Sequence, residues 1–258
     1  MTTKPLLVMI HGFRGTREGL SLIAEHLSAF EIVTPDLPGF GDGPVSDDYT
    51  LNTYVDWLHG FIAAQPRTPH LLGHSFGSIV AAAYAARYPD TIKKLILVNP
   101  IGAPALEGPR GALSKLAVAY YWVGKQLPAR AGKSWLSSKP SVLIMSTVMA
   151  KTKDSATRRF IHDQHLRHFS RFHSAHSVYE GFKTSVSHSV RDVATLISSP
   201  TLLIAGDKDD ITPIQKQREL VALFRDARLV EIKNVGHLTH YETPDQVAQA
   251  VYSFINEV

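Results

Sequence analysis

The chain has 258 residues, 44% of them hydrophobic and 19% charged, so it can bury a sizeable core, and global disorder is excluded. With no cysteine, it has no disulfide scaffold, no thiolate metal site and no cysteine nucleophile. The formal charge is +4, but residues 101–190 hold 13 Lys/Arg against 4 Asp/Glu, a basic middle inside an acidic frame that marks a separate structural unit.

Met1-Thr2-Thr3-Lys4-Pro5 leads into only five apolar residues, Leu6 to Ile10, a run too short for a signal-peptide core. No later stretch approaches a membrane span, and a cytoplasmic location is expected. Leu6–His11 reads as a buried strand, and residues 17–29 carry Leu20, Ile23, Ala24 and Leu27 at helical spacing. Glu31–Pro35 is the second strand. Leu51–Ala64 follows as a helix with Tyr54, Val55, Leu58 and Ile62 on one face. His70–Gly73 is the third strand, Phe76–Tyr88 the next helix, closed by Pro89, and Lys94–Val98 the fourth strand. After the basic stretch come strand Thr201–Ala205, helix Ile214–Phe224, strand Ala227–Ile232 and helix Pro244–Asn256, whose early proline loses no hydrogen bond. Strands alternating with helices predict an α/β fold with a doubly wound, mainly parallel six-stranded sheet, built from residues 1–100 and 191–258.

Residues 101–190 show no convincing strand and read as a helical lid inserted between the fourth and fifth strands. Leu113, Leu116, Ala117, Tyr120 and Leu127 follow a helical period. Pro140–Ala150 is apolar nearly all round and is expected to be covered on several sides. A third segment, roughly residues 155–172, mixes Phe160, Ile161, Leu166 and Phe169 with Arg and His.

Gly73-His74-Ser75-Phe76-Gly77 matches the G-x-S-x-G nucleophile elbow, with a strand before it and a helix after it. The turn is so sharp that bulky side chains two residues to either side would collide. A serine hydroxyl needs a base, and the base needs an orienting carboxylate. Asn234-Val235-Gly236-His237 follows the last strand and offers His237 as base, with His240 its nearest rival. The loop Gly206-Asp207-Lys208-Asp209-Asp210-Ile211-Thr212-Pro213 offers three carboxylates as the acid, at least one of which is expected to cap the following helix. An oxyanion needs converging backbone N–H groups; Phe76 supplies one at the start of its helix, and Phe13 the other, in the loop His11-Gly12-Phe13-Arg14-Gly15.

The HGF loop, Asp36-Leu37-Pro38-Gly39-Phe40-Gly41, GHSFG, GDKDDITP and VGH occur in one fixed order, and together they resemble the α/β-hydrolase superfamily over the whole chain outside the lid. The resemblance implies a triad of Ser75, Asp209 and His237. The family's G-x-x-D-x-x-x-P pattern selects Asp209 over Asp207 and Asp210, and Asn99 cannot serve as the alternative acid of some relatives. Two departures stand out. The family's usual antiparallel hairpin before the HG strand has no room here, which implies a trimmed, all-parallel sheet, and Ser78 replaces a common glycine, a change the helix should tolerate.

A serine nucleophile disfavours the epoxide hydrolases and haloalkane dehalogenases of the superfamily, which use aspartate there, and HGFRGT resembles the loop of lipases and esterases. The resemblance therefore implies a carboxylic ester hydrolase acting on an apolar acyl or small aromatic ester, without cofactor or metal. The alternatives are a carbon–carbon bond hydrolase of ring-cleavage products, a cofactor-free perhydrolase and a non-catalytic small-molecule receptor. Tyr120, Tyr121, Trp122, Leu143, Met145, Val148 and Met149 are candidates to line an acyl pocket or to pack the lid. The basic lid could meet an acidic substrate or, transiently, an anionic lipid surface. No motif supports nucleic-acid binding. His162, His165 and His168, three apart on one helix, lack a clear carboxylate cluster to complete a metal site.

Overall fold

A computed structural model describes residues 4–103 and 111–257, with the side chains of 111–114 excepted. Their elements, in chain order, are β1 (Leu6–Ile10), α1 (Ser21–Glu25), β2 (Glu31–Val33), α2 (Leu51–Ala63), β3 (His70–His74), α3 (Phe76–Arg87) and β4 (Leu95–Val98). Five helices follow: α4 (Gly111–Gln126), α5 (Ala129–Leu136), α6 (Lys139–Met149), α7 (Ser155–His168) and α8 (Ala175–Ser187). The chain then runs through β5 (Thr201–Gly206), α9 (Ile214–Val221), β6 (Ala227–Ile232), α10 (Thr239–Glu242) and α11 (Pro244–Asn256). None of these helices is long and apolar enough to cross a membrane.

All pairings in the sheet are parallel, and its order is β2-β1-β3-β4-β5-β6. This is the six-stranded, doubly wound sheet expected from the sequence. Alternation of side chains along each strand feeds two cores. Val8, Ile10, Leu71 and Leu97 pack with α2 and α3 on one face, while Leu7, Met9, Leu72 and Ile96 pack with α1 and α11 on the other. Burying one such aliphatic side chain contributes ~1.5–3 kcal/mol relative to exposure. After β2 the chain returns to the far side of β1, so the order reverses between β1 and β3. That switch point lies at the carboxyl ends of β1 and β3, where open α/β sheets place their sites.

Among the described residues between β4 and β5 lie α4 to α8, and these helices differ from the sequence reading. α5 and α8 were not anticipated. The first is short and interrupted by Gly132; the second hides its apolar positions Val178, Phe182 and Val186 among Gly181, Thr184 and Ser185, although Ser174 and Ser177 form a capping box at its start. The helix expected over 17–29 is a 3-10 turn, Arg17–Leu20, followed by the single short α1. Leu113 lies outside the described side chains. The largest correction concerns α6. Only Val142 and Ser146 in it are buried, and the face expected to be covered carries Leu143, Ile144 and Val148 to solvent.

Backbone and charge contacts fasten the helical segment to the core. Gly41 N–H donates to Arg171 O at 2.6 Å, His173 N–H donates to Gly39 O at 3.0 Å, and Phe40 bridges to Phe172. The Arg171 guanidinium reaches both Glu18 and Asp42, at 2.8 and 2.9 Å.

Candidate active site

Ser75 sits between β3 and α3 at φ 52°, a left-handed conformation unusual for a serine, which the turn holds in place. α3 crosses the sheet very closely. A Cβ on Gly77 would come within 2.4 Å of Ile10 O, so only glycine lets the helix start here. Ser78, expected to be merely tolerated, is fully buried. Its hydroxyl donates to Ser75 O and accepts from Ile101 N–H at 3.2 Å, linking the elbow to the chain that leaves β4.

The three residues selected by the sequence come together. His237 Nδ1 lies 2.7 Å from Asp209 Oδ2, and its Nε2 lies 2.8 Å from Ser75 Oγ. Because a carboxylate only accepts, Nδ1 carries the proton and Nε2 is the acceptor facing the serine hydroxyl. Asp209 is 4% exposed. Burial opposes its ionisation, but the His237 ring, the Thr212 hydroxyl and the backbone N–H of Thr212 outweigh it and hold the carboxyl below the usual carboxylate range. Asn99 is the partner that sequence reasoning set aside. Its Nδ2 donates to Asp209 Oδ2 at 2.9 Å and to Gly236 O at 3.4 Å, while Thr239 Oγ1 donates to its Oδ1.

The other candidates in these loops have different partners. Asp207 accepts from Asn234 N–H at 2.7 Å, and Asp210 pairs with Lys151. The expected capping of the following helix is not found: α9 starts after Pro213 with no side-chain cap, because Asp209 turns inward and accepts from Ile211 N–H at 2.7 Å and Thr212 N–H at 3.0 Å within its own loop. His240, the rival base, is buried against the His74 ring with centroids 4.1 Å apart. Burial, with His237 adding to it, lowers His74 to about 3, so its Nε2–H donates to His237 O at 3.4 Å as a neutral ring.

The loop after β1 lies directly against the serine. A Cβ on Gly12 would meet Ser75 Cβ at 3.2 Å. His11 braces this loop: its Nε2 accepts from Leu37 N–H at 2.9 Å, leaving Nδ1–H to donate to Gly12 O at 2.9 Å. Phe76, as the first residue of α3, has a backbone N–H without an intrahelical acceptor. The Phe13 ring is 5.7 Å from Phe40, 5.6 Å from Tyr121 and 5.3 Å from Phe182, which makes an aromatic cluster that joins the loop after β1 to α4 and α8.

Arg14, read in the sequence only as part of the loop that carries Phe13, is 2% exposed and forms no ion pair among the described residues. Its Nε–H donates to Phe169 O at 3.0 Å and its Nη2–H to Leu136 O at 2.8 Å. Leu136 is the last residue of α5, and Phe169 caps the end of α7. One cation therefore sits on two helix carboxyl ends, where the macrodipoles favour positive charge, and the Phe172 ring lies 5.4 Å from its guanidinium.

The expected pocket divides. Tyr121 is buried, and Tyr120, Met145 and Met149 are half-buried. Met145 Sδ lies 3.5 Å from the Tyr121 hydroxyl, while Met149 packs with Ala150, Ile161, Leu238 and Tyr241. Trp122, at 49% exposure, and Leu143 and Val148 are on the outside, because a helix packed on one face must turn its intervening residues to solvent. His162 and His165 share one partner, Ser146 Oγ, 2.7 Å from both Nδ1 atoms, and among the described residues no group of three histidine or carboxylate side chains is placed to hold a metal. A cleft of about 930 Å³ is lined by Lys151, Lys153, Lys208, Asp207, Asp209 and Asn234, among others, and not by Ser75 or Phe13.

Residues 7–250 match the alpha/beta hydrolase family. The chain is similar to "Lipase 1" of Psychrobacter immobilis, 25% identical with 96% of this chain and 76% of that protein covered. It is also similar to a pimeloyl-[acyl-carrier protein] methyl ester esterase of Neisseria meningitidis, 26% identical over 97% of this chain and 93% of the other. Among solved structures, a hydrolase from Pseudomonas aeruginosa superposes with a TM-score of 0.78 at 23% identity, covering 98% of this chain and 91% of that one. The parallel sheet, the strand–serine–helix turn and the match across nearly the whole chain place it in the alpha/beta hydrolase family.

Proposed function

We propose that this protein hydrolyses carboxylic esters through Ser75, His237 and Asp209. The observation that carries the reading is the hydrogen-bonded line from Asp209 Oδ2 through both nitrogens of His237 to Ser75 Oγ. Ser75 Oγ attacks the ester carbonyl while its proton passes to His237 Nε2, and Asp209 stabilises the imidazolium. The N–H groups of Phe13 and Phe76 receive the negative charge on the carbonyl oxygen. Collapse expels the alcohol, which takes the proton from Nε2 and leaves an acyl-serine. Water, deprotonated by the same nitrogen, then releases the acid and restores the serine. The sequence of steps balances with ester and water alone.

Relatives named as a lipase and a methyl ester esterase support esters as the substrate class. The helices between β4 and β5 act as a lid over residues 1–100 and 191–258, with Tyr120, Tyr121 and Met145 beside the acyl chain. The cysteine-free chain suits the cytoplasm. The test is hydrolysis of p-nitrophenyl esters from acetate to long acyl chains, with wild type beside Ser75→Ala. Turnover with a chain-length optimum, lost in Ser75→Ala, is expected. No ester turnover together with cleavage of a ring-cleavage dienoate would overturn the ester reading in favour of carbon–carbon hydrolysis.

A further inference from the structure

We propose that the outer face of α6 docks on an anionic lipid–water interface. Pro140, Leu143, Ile144, Thr147 and Val148 follow one another at helical intervals, so they form a single stripe, and all five are exposed. Ile144 is 66% and Val148 64% accessible, and no charged residue occurs between Lys139 and Lys151. The opposite face is fully engaged: Val142 and Ser146 are buried, and Ser146 Oγ meets the rings of His162 and His165 on α7. The helix is thus anchored on one side and bare and apolar on the other, where burial in an acyl layer would remove that surface from water.

Charge selects the occupant. Lys139 stands at one end of the stripe and Lys151 and Lys153 beyond the other, and the first turns of α7 expose Arg158 and Arg159 beside Phe160. Lys139, Lys153, Arg158 and Arg159 form no ion pair among the described residues. Two copies of a segment with 13 Lys/Arg against 4 Asp/Glu would repel one another face to face, whereas anionic headgroups attract the cations while the acyl layer takes Leu143, Ile144 and Val148. The geometry also connects this face to the site. Lys151, just past α6, lays its side chain so close to Gly236 that a Cβ there would be 2.6 Å from Lys151 Cγ, and Gly236 precedes His237. Docking would therefore present the lipid layer next to the loop that carries the base. The use of such docking rests on the ester-hydrolase reading; the docking itself does not.

Sedimentation of the full chain with sucrose-loaded vesicles tests it without turnover. Vesicles of phosphatidylglycerol and phosphatidylcholine in equal amounts should pull the protein down, those of phosphatidylcholine alone should not, and added salt should weaken the effect. Ile144→Asn/Val148→Asn should reduce binding by about tenfold or more with an unchanged unfolding midpoint. Ile144→Asp/Val148→Asp should reduce it further, because the new carboxylates repel the headgroups. Absence of wild-type binding to the anionic vesicles would overturn the proposal, as would wild-type-like binding by the correctly folded double variants. Concentration-dependent dimers in analytical ultracentrifugation, abolished by the Asn pair, would assign the face to a second copy instead.

Discussion

Asp209 accepts five hydrogen bonds, from His237, Asn99, the Thr212 hydroxyl and the N–H groups of Ile211 and Thr212, so its orientation is set before any substrate arrives. Asp209→Asn keeps the shape but supports the wrong imidazole tautomer, and kcat should fall on the order of 10³–10⁴-fold. Asp210→Asn, which alters a carboxylate paired with Lys151, should leave kcat within a few-fold of wild type. Steady-state kinetics on one activated ester ranks the two, and the reverse order would move the acid. Asn99→Ala removes one charge-assisted bond and should cost roughly tenfold in kcat. Ser75, His237 and Asp209 were legible because each residue type stands at a fixed place in a short motif. Asn99 and Ser78 were not, since an asparagine ending a strand and a serine in a helix have no pattern of their own. Only proximity in the fold gives them partners.

At the scale of elements, Arg14 binds two helix ends to the loop that follows β1. Arg14→Met leaves the carbonyls of Leu136 and Phe169 without their donor, and Arg14→Lys retains the charge without the fork that spans both. Both variants should expose residues 101–190 to limited proteolysis more readily than wild type, with the core fragment persisting. Equal resistance would show that other contacts hold those helices down. The strands were readable as short aliphatic runs, and α2, α3 and α11 as helical spacings between capping and breaking residues. α5 and α8 were not, because close packing put Gly132 and Gly181 inside them. The bare face of α6 was misread for a related reason: composition shows that a helix is apolar all round and does not show how many neighbours it finds.

Across the whole molecule, buried neutral histidines couple stability to pH. Burial, with neighbouring rings and cations adding to it, lowers His74 and His165 to about 3, His70 to about 4 and His240 well below the ordinary value. Unfolded, these groups titrate near ~6.5. The unfolded chain thus binds more protons between the two ranges, and the stability they contribute is complete above about pH 6.5 and lost as the pH falls toward the folded values. The depressed Asp209 adds its own loss only below about pH 4. Urea midpoints should therefore drop steadily from pH 7 to pH 5, and a flat profile would contradict the neutral, buried state of these rings. The six-stranded parallel sheet and the motifs at its carboxyl edge are displayed by a single sequence, whereas its strand order and this acid sensitivity depend on how the fold packs its strands and which histidines it buries.

The central claim is that Ser75 is the group His237 activates. Intact-mass spectrometry after treatment with a fluorophosphonate tests it without knowledge of the substrate. Wild type should gain one phosphonyl adduct, located on Ser75 by peptide mapping, and folded Ser75→Ala should gain none. An unmodified wild type, or equal labelling of the two proteins, would contradict the account.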